Sequence, residues 1–556
     1  MTIRNGRWLL TVLVVFAAAC FESPTGVDIA EEPRFATVTG TTYYVSPNGK
    51  DSNSGTSTLK PWRTINKVNR RDLDPGDQVL FLGGATFSGR LTFTSRDSGT
   101  ATNPITISSY GTGKAIINGG TVEAILIYNA GGYNVANLKL VGAGLSTSTR
   151  PGLNVYTDLG GDVKLAHIHI NNLEVSGFQH GILIGSWNNN TGFTDVRVTN
   201  TVVHDNRLSG VNTYAMNPYA HQNFYFARIT AYNNPGDPAL LDIPNGNGIV
   251  MGGVDGGIIE RSLAYNNGTL CKSVAGPVGI WAYDASNIVI QYNESYNNST
   301  SGPADGGGFD LDQNTKNSIL QYNYSHNNAG PGYLLGHGVN NTNHTGNIVR
   351  YNISENDARK NSSGAIAVWG KVRNAQIYNN SVYLSAAPSG SPRGIFLHNS
   401  GVTSMYATNV GIRNNIFQVT NSLRLLHIPS TMLRGVTNLR FENNDYFSTG
   451  TAFNIVWGGT TYADLPSWRS ATSQEMASGQ PVGTTADPLF TAPGAGGTIG
   501  NPDLLANLNA YKLQSGSPMA DAGMNLVLLG FSVGATDFYG NPIPQGSQYS
   551  IGAHDR

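Results

Sequence analysis

The sequence predicts an all-β protein, a parallel β-helix in which short strands wind into coils that stack along one axis. Similar segments begin at Asn287, Asn317 and Asn347, so the repeat is 30 residues long. Each segment contains a short apolar strand and then a polar corner, with no helical period between them. A fixed repeat of this length indicates that like residues stack on like, which a parallel β-helix achieves and a set of hairpins does not.

Asparagine marks the corners of the predicted coils. It tolerates the left-handed backbone region, and its amide can hydrogen-bond to the next coil. Most corners precede a strand that opens on glycine, where a side chain would crowd the turn. The corners are Tyr232-Asn233-Asn234, Tyr265-Asn266-Asn267, Tyr296-Asn297-Asn298, His326-Asn327-Asn328, Glu355-Asn356-Asp357, Tyr378-Asn379-Asn380, Arg413-Asn414-Asn415 and Glu442-Asn443-Asn444.

The composition fits stacked coils. The chain has 556 residues, of which 68 are glycine and only 12% are charged, and its formal net charge is −1. Like charges repeated in register about 4.8 Å apart would repel one another, so a stacked sheet favours few charges. The lack of clustered lysine and arginine argues against a nucleic-acid partner. An uncharged polar surface suits a polysaccharide.

The N-terminus predicts export. Residues 1–20 combine two arginines with an apolar run too short to span a bilayer, which is typical of a signal peptide. The run ends at Cys20, and it resembles a lipoprotein signal in which that cysteine becomes the lipid attachment site. Simple cleavage after an Ala-x-Ala motif is the alternative. We therefore expect an exported bacterial protein held at the cell envelope or cell surface by a lipid anchor, which is its only membrane contact.

The remaining chain divides into three parts. Residues 21–40 form a flexible tether, residues 41–450 the β-helix with an N-terminal cap, and residues 451–556 a loop-rich C-terminal segment that serves as a cap. Cys271 then has no disulfide partner, and we expect it to be a buried small apolar residue. We expect a monomer.

Alternation along the glycine-led strands predicts one outer face that carries chemistry. Aromatic side chains, two carboxylates, an imidazole and an ammonium should share this face over five coils, which indicates a groove. Leu334 is expected inside. The expected outward residues are Trp281, Tyr283, Asp310, Asp312, His337, Trp369, Lys371, Phe396 and His398.

Glycosidic cleavage is the chemistry that this set supports. Two neighbouring carboxylates raise the pKa of one of them, which gives an acid beside a base. Aromatic faces bind sugar rings. We therefore assign Asp310, Asp312, His337 and Lys371 as candidate catalytic residues. The candidate substrate-binding residues are Trp281, Tyr283, Trp369 and His398.

Two terminal segments and one internal motif resemble a known family. The segment Tyr43 to Gly55, with Lys60 to Ile65, and the motifs Asp487-Pro488-Leu489-Phe490 and Ile551-Gly552-Ala553 are similar to those of secreted β-helix proteins. Gly336-His337-Gly338 resembles a polygalacturonase motif, although other motifs of that family are absent. The resemblance is to the superfamily of pectate lyases and polygalacturonases. It implies a single-stranded right-handed parallel β-helix that acts on polysaccharides.

Three functions remain open. A glycoside hydrolase without a cofactor is favoured. A polysaccharide lyase would use Ca²⁺ held by Asp305, Asp310 and Asp312, with Lys371 or Lys316 as the base. A non-catalytic carbohydrate-binding surface protein would explain the repeats without chemistry.

Overall fold

Three long β-sheets wind together into a solenoid. The computed structural model describes residues 40–336 and 343–556, so the predicted signal peptide, Cys20, most of the tether and His337 lie outside the described residues. The chain visits the three sheets in turn, and each strand pairs in parallel with the strand one coil away. The predicted parallel β-helix is confirmed.

The first sheet has 14 strands. They are Thr42–Val45, Gln78–Leu82, Ile105–Tyr110, Tyr133–Ala136, Lys164–Asn171, Gly192–Thr199, His221–Ala227, Val254–Glu260, Ser286–Gln291, Ile319–Gln321, Ile348–Arg350, Gln376–Tyr378, Thr408–Arg413 and Thr437–Glu442.

The second sheet also has 14 strands, and its last strand is antiparallel to the one before it. They are Leu91–Phe93, Ile125–Tyr128, Leu153–Thr157, His180–Ser186, Ser209–Tyr214, Asn247–Gly252, Val278–Tyr283, Gly307–Leu311, Tyr333–Leu335, Gly364–Trp369, Arg393–His398, Arg424–Ile428, Ile455–Trp457 and Thr460–Tyr462.

The third sheet has 13 strands. They are Thr86–Ser88, Ala115–Gly120, Leu138–Gly142, Glu174–Ser176, Val202–His204, Thr230–Tyr232, Leu263–Tyr265, Glu294–Tyr296, Tyr324–His326, Ile353–Glu355, Ser381–Leu384, Ile416–Val419 and Asp445–Ser448.

The few helices lie outside the sheets. In the described part of the chain, none is both long and apolar enough to cross a membrane. The helices are Ile65–Val68, Ser430–Leu433 and Leu465–Thr472, the 3₁₀ turns are Pro502–Asn507, Asn509–Tyr511 and Leu526–Leu529, and a small hairpin joins Met476–Ala477 to Gln480–Pro481.

The solenoid core consists of apolar residues stacked coil upon coil. In the second sheet, Ile280 pairs with Phe309, which pairs with Tyr333, then Ile366 and Ile395. All five are buried in one continuous core. Such burial contributes about 25 cal/mol per Å² of apolar surface, so the stacked rows supply the main stabilisation.

Two asparagine ladders hold the corners together. In the first, the Oδ1 atom of each asparagine accepts hydrogen bonds from the backbone N–H and the Nδ2 group of the asparagine one coil earlier. Asn298, for example, accepts from Asn267 at 3.2 and 3.0 Å and donates to Asn328 at 2.9 and 3.0 Å. The first ladder runs through Asn206, Asn234, Asn267, Asn298, Asn328 and Asp357.

The second ladder follows the same rule and ends in the same way. It runs through Asn293, Asn323, Asn352, Asn380, Asn415, Asn444 and Glu475. The final member of a ladder has no further asparagine to donate to, so it only needs to accept. A carboxyl group suits that position, and Asp357 and Glu475 end the two ladders. Burial raises the pKa of Asp357 to about 6 and that of Glu475 to about 7.

The two asparagines of one corner have separate roles, the left-handed turn and the hydrogen bond between coils. From the sequence, both roles were expected of a single residue. Asn297 adopts the left-handed conformation, with φ of 52°, and is exposed. Asn298 is buried and carries the ladder. One asparagine therefore bends the chain, and the next ties the coils together.

The C-terminal segment folds back along the outer face of the third sheet. The backbone N–H groups of Ile499 and Gly500 each donate to the buried carboxylate of Glu294 at 2.7 Å. The Tyr511 hydroxyl donates to Glu355 at 2.6 Å, within an apolar cluster formed by both parts of the chain. The segment therefore covers carboxylates of the coils, in addition to continuing beyond the last coil.

Replacing Asn298 with alanine should destabilise the solenoid. The change removes the acceptor of the buried Asn267 backbone N–H and of one Asn267 Nδ2 hydrogen, and it removes a donor to the Ala264 carbonyl, at a cost of about 3 kcal/mol. The midpoint of urea unfolding measures the loss. Asn297→Gly is the matched control, since glycine tolerates the left-handed region. Equal midpoints for the two variants would contradict the division of roles between these asparagines.

Candidate functional site

The candidate site lies on the outer face of the second sheet. Strand register aligns Trp281 with Asp310, Asp310 with Leu334, and Leu334 with Ala367, whose own partner is Phe396. These five residues form one row across five coils, and all of them point away from the core. A single sheet therefore brings residues far apart in sequence to one surface.

A cavity of about 720 Å³ opens on this row. Its walls come from the sheet and from loops that precede or follow its strands. The lining residues are Asn212, Asp242, Pro244, Asn247, Val250, Val274, Ala275, Trp281, Tyr283, Pro303, Ala304, Asp305, Asp310, Asp312, Gln313, Pro331, Leu334, Asn361, Ser362, Ser363, Trp369, Phe396, His398 and Ser400.

Three aspartates reach this cavity from one coil. Asp310 points outward because its neighbours Phe309 and Leu311 enter the core. Asp312 follows the end of the same strand, and Asp305 precedes it in a left-handed turn, with φ of 49°. Asp310 is buried, whereas Asp305 and Asp312 are partly exposed to the cavity.

The three carboxyl groups have different affinities for protons. Burial raises the pKa of Asp305 to about 7, and the charge of Asp312 adds to this shift. Burial raises the pKa of Asp312 to about 6, although the backbone N–H of Gln313 favours its ionised form. Burial, and then the charges of Asp312 and Asp305, raise the pKa of Asp310 well above its usual value. Asp310 therefore holds its proton more tightly than a free carboxyl group does, and Asp312 is mostly ionised at pH 7.

Gly336 leaves the space in which two of these carboxyl groups meet. A Cβ atom at Gly336 would lie 3.2 Å from Oδ1 of Asp312 and 3.5 Å from Oδ1 of Asp310. The two oxygens thus flank the same point. Oδ1 of Asp310 is buried and accepts no hydrogen bond from a described residue. A protonated Asp310 beside an ionised Asp312 reduces the repulsion between them.

Aromatic rings line both sides of the aspartates. The Trp281 ring is buried and donates from Nε1 to Asn247 at 3.1 Å, which fixes its orientation. Tyr283 packs 5.2 Å from it between ring centroids. On the other side, Trp369 donates to Ser400 at 3.1 Å. The cavity therefore offers rigid apolar walls with polar groups at their edges, which suits sugar rings.

The structure brings most of the predicted site residues together. Asp310, Asp312, Trp281, Tyr283, Trp369 and His398 all line the cavity, as does Asp305. Lys371 is half-buried beyond the end of strand Gly364–Trp369 and is not among the described lining residues. His337 lies outside the described residues, so its assignment stays a prediction.

The expectation for Leu334 was wrong. Leu334 was expected inside, but Tyr333 and Leu335 enter the core, and Leu334 lies on the cavity wall beside Asp310. The reason is that the strand is only three residues long and follows a turn of Gly and Pro. Its sequence of apolar residues therefore fits either register.

The three aspartates do not form a compact ligand set. In the described chain, they are not a group whose ligand atoms all lie within 4.8 Å of one another. Calcium takes six to eight oxygen ligands at about 2.3–2.6 Å. The carboxyl groups of this coil alone are therefore spread too widely to surround one Ca²⁺ ion, and we derive no step through a metal.

Sequence reasoning missed several residues that line the cavity. Asn247 and Asn361 belong to different coils from the aspartates, and Asn212 lies two coils before Trp281. Alternation along strand Ser209–Tyr214 could have predicted that Asn212 points outward. The loop positions had no periodic signal.

Comparison with known proteins agrees with this fold. The family model described as "Right handed beta helix region" matches residues 155–352 and, in an overlapping match, 242–382. A lacto-N-biosidase from Bifidobacterium longum subsp. longum is 25% identical over 663 residues, which cover 98% of this chain and 38% of that protein. The chain thus spans less than two fifths of the length of this curated relative.

Two solved structures have partial similarity to this chain. A GH136 lacto-N-biosidase from Eubacterium ramulus is 20% identical, with 65% of this chain and 68% of that chain covered and a TM-score of 0.48. A pectate lyase is 16% identical, with coverage of 93% and 96% and a TM-score of 0.42. The three sheets wind into a parallel β-helix, and residues 155–382 of it match the family model of right-handed β-helix regions.

Proposed function

We propose that this protein is a glycoside hydrolase that cleaves a bond between uncharged sugars. One observation carries the proposal: Asp305 and Asp312 open on the same cavity with pKa values of about 7 and about 6. Glycosidases need one carboxylic acid that donates a proton and one carboxylate that stabilises positive charge. The resemblance along nearly the whole chain to a protein named lacto-N-biosidase supports a glycosidase.

Asp305 is the proposed general acid. It is partly exposed to the cavity and retains its proton up to near neutral pH. As the glycosidic C–O bond breaks, its proton passes to the leaving oxygen. Asp305 then becomes a carboxylate, and the negative charge of Asp312 repels it. An acid whose pKa lies close to the working pH is the most effective donor.

Asp312 is the proposed carboxylate that faces the anomeric carbon. It stabilises the positive charge that develops there while the bond breaks, and water then adds to that carbon and returns a proton to the Asp305 carboxylate. Asp310 is a positioning residue in this scheme. Its protonated carboxyl lies beside Asp312 around Gly336, where it favours the ionised state of Asp312.

The cavity walls favour a neutral substrate. Among the described lining residues there is no lysine or arginine, whereas four are aspartates. A uronate would bring its carboxylate close to these groups without a cation to bind it. This charge pattern favours hydrolysis of neutral sugars over elimination from uronic acid polymers.

Substitution of the two carboxylates should separate their roles. Asp305→Ala should lower kcat/KM on a neutral oligosaccharide by about 10²–10⁴-fold, and far less on a nitrophenyl glycoside, whose leaving group needs no proton. Asp312→Ala should abolish turnover of both substrates. Initial rates on a panel of neutral oligosaccharides and nitrophenyl glycosides measure this.

Asp158→Asn is the matched control, because Asp158 is an exposed aspartate in the loop after strand Leu153–Thr157 of the same sheet. It should retain the wild-type rates. Unchanged activity of both Asp305→Ala and Asp312→Ala would contradict the assignment. Sugar binding without products would favour the carbohydrate-binding alternative, and an ultraviolet-absorbing unsaturated uronate would favour the lyase.

The rate should depend on pH in a narrow bell. Asp312 must be ionised, so kcat/KM rises as pH passes about 6. Asp305 must be protonated, so kcat/KM falls as pH passes about 7. A pH–rate profile measured at low substrate concentration tests both limbs. A profile that stays flat from pH 5 to about 9 would argue against this pair.

We also propose that the protein is exported and lipid-anchored through Cys20. The signal-like run that ends at this cysteine supports the proposal. Cys20→Ser should move the protein from the membrane fraction of cells to the soluble fraction and prevent incorporation of labelled fatty acid. Cys271→Ser is the control, since Cys271 is buried in the solenoid. Labelling that persists in the Cys20→Ser variant would contradict the anchor.

A further inference from the structure

A second cluster of functional side chains lies on the outer face of the first sheet. His167 and His169 come from strand Lys164–Asn171, and Asp195 comes from strand Gly192–Thr199 of the next coil. One ligand atom from each residue lies within 4.8 Å of the others. We propose that these three residues bind a zinc-type divalent ion and thereby join the two coils.

Two of the three ligand separations are close to those of tetrahedral coordination. Oδ2 of Asp195 lies 3.0 Å from Nε2 of His169 and 3.4 Å from Nδ1 of His167. Zinc holds histidine nitrogens and carboxylate oxygens at about 2.0–2.2 Å, so neighbouring ligand atoms in a tetrahedral site are about 3.3 Å apart. Both measured separations are close to this value. The fourth position is left for a water molecule.

The surroundings of His167 leave its Nδ1 atom facing an acceptor. Its Nε2 atom lies 3.1 Å from Oδ1 of Asn134, to which a neutral imidazole donates its single N–H. Nδ1 then presents a lone pair to the carboxylate oxygen of Asp195. A bound cation turns this unfavourable contact between two acceptors into two coordination bonds.

A second group orients the carboxylate. Nε of Arg197 donates to Oδ1 of Asp195 at 3.2 Å, which leaves Oδ2 directed at the two histidines. Outer groups that fix the ligands in this way are typical of metal sites. Burial lowers the pKa of both histidines, which agrees with neutral imidazoles that can act as ligands.

The side chains at these positions differ from those at the equivalent positions of later coils, whereas the backbone conformation is shared. His167 and Asp195 both lie in the left-handed region, with φ of 62° and 52°. Both residues lie at a β-bulge, where the residue is left out of the pairing between neighbouring strands. The same bulge recurs in later coils. Those later coils fill it with asparagine or glycine, namely Asn223, Gly256, Asn287, Asn317, Gly346, Asn374, Asn409 and Asn438.

This comparison within the molecule supplies well-matched variants. His167→Asn and Asp195→Asn place at the bulge the residue that other coils already use there, so both should fold. His204→Asn is the control: His204 lies beside two carboxylates, yet it belongs to no group of three possible ligands in the described chain.

Zn²⁺ titration of chelator-treated full-length protein by isothermal calorimetry tests the proposal. We expect one ion per chain in the wild type and in His204→Asn, and at least about tenfold weaker binding in His167→Asn and Asp195→Asn. Circular dichroism in chelator should be the same for all four proteins. Zn²⁺ should raise the melting temperature of the wild type and the control alone. A wild type that binds no ion, or bulge variants that bind it unchanged, would overturn the proposal.

Discussion

In-register stacking of parallel coils is the constraint on which the rest of this structure depends. Each residue has as its neighbour the equivalent residue of the next coil, one strand spacing away. Apolar residues gain from this arrangement, because Ile280, Phe309 and Tyr333 pack on one another inside the solenoid. Amides gain as well, because one asparagine can accept from the coil before and donate to the coil after. Charges of one sign repel one another in such a stack, which explains why so few residues of this chain are charged.

The carboxyl groups that do occur inside the stack follow from the same constraint. Asp357 and Glu475 end the two ladders, where a group that only accepts is required. Asp310 is different, because its buried oxygen finds no partner among the described residues and its pKa is raised by burial. A buried carboxyl oxygen without a partner costs stability. Its place beside Asp312 at the cavity gives this cost a functional reason, since active sites are where such groups are concentrated.

Much of this architecture could be predicted from the sequence, and the limits have physical causes. The 30-residue repeat predicted the stacked coils, and two-residue alternation correctly predicted that Trp281, Asp310 and His398 lie on one face. Leu334 failed because a three-residue apolar strand fits either register. Loop residues such as Asn361 have no periodicity, so only the fold shows that they reach the cavity. The histidine cluster was missed because its third member, Asp195, lies at a bulge of the next coil, and only the pairing between coils brings it to His167 and His169.

The proposed mechanism requires a protonated carboxyl group beside an ionised one in the cavity at neutral pH. Infrared difference spectra of wild type and Asp310→Asn at pH 7 test it most directly, because a protonated carboxyl has a C=O stretch that a carboxylate lacks. We expect the wild type to show this band and the variant to have lost it, since burial raises the pKa of Asp310 well above its usual value. Spectra that differ only in a carboxylate band would show that Asp310 is ionised and would contradict the account.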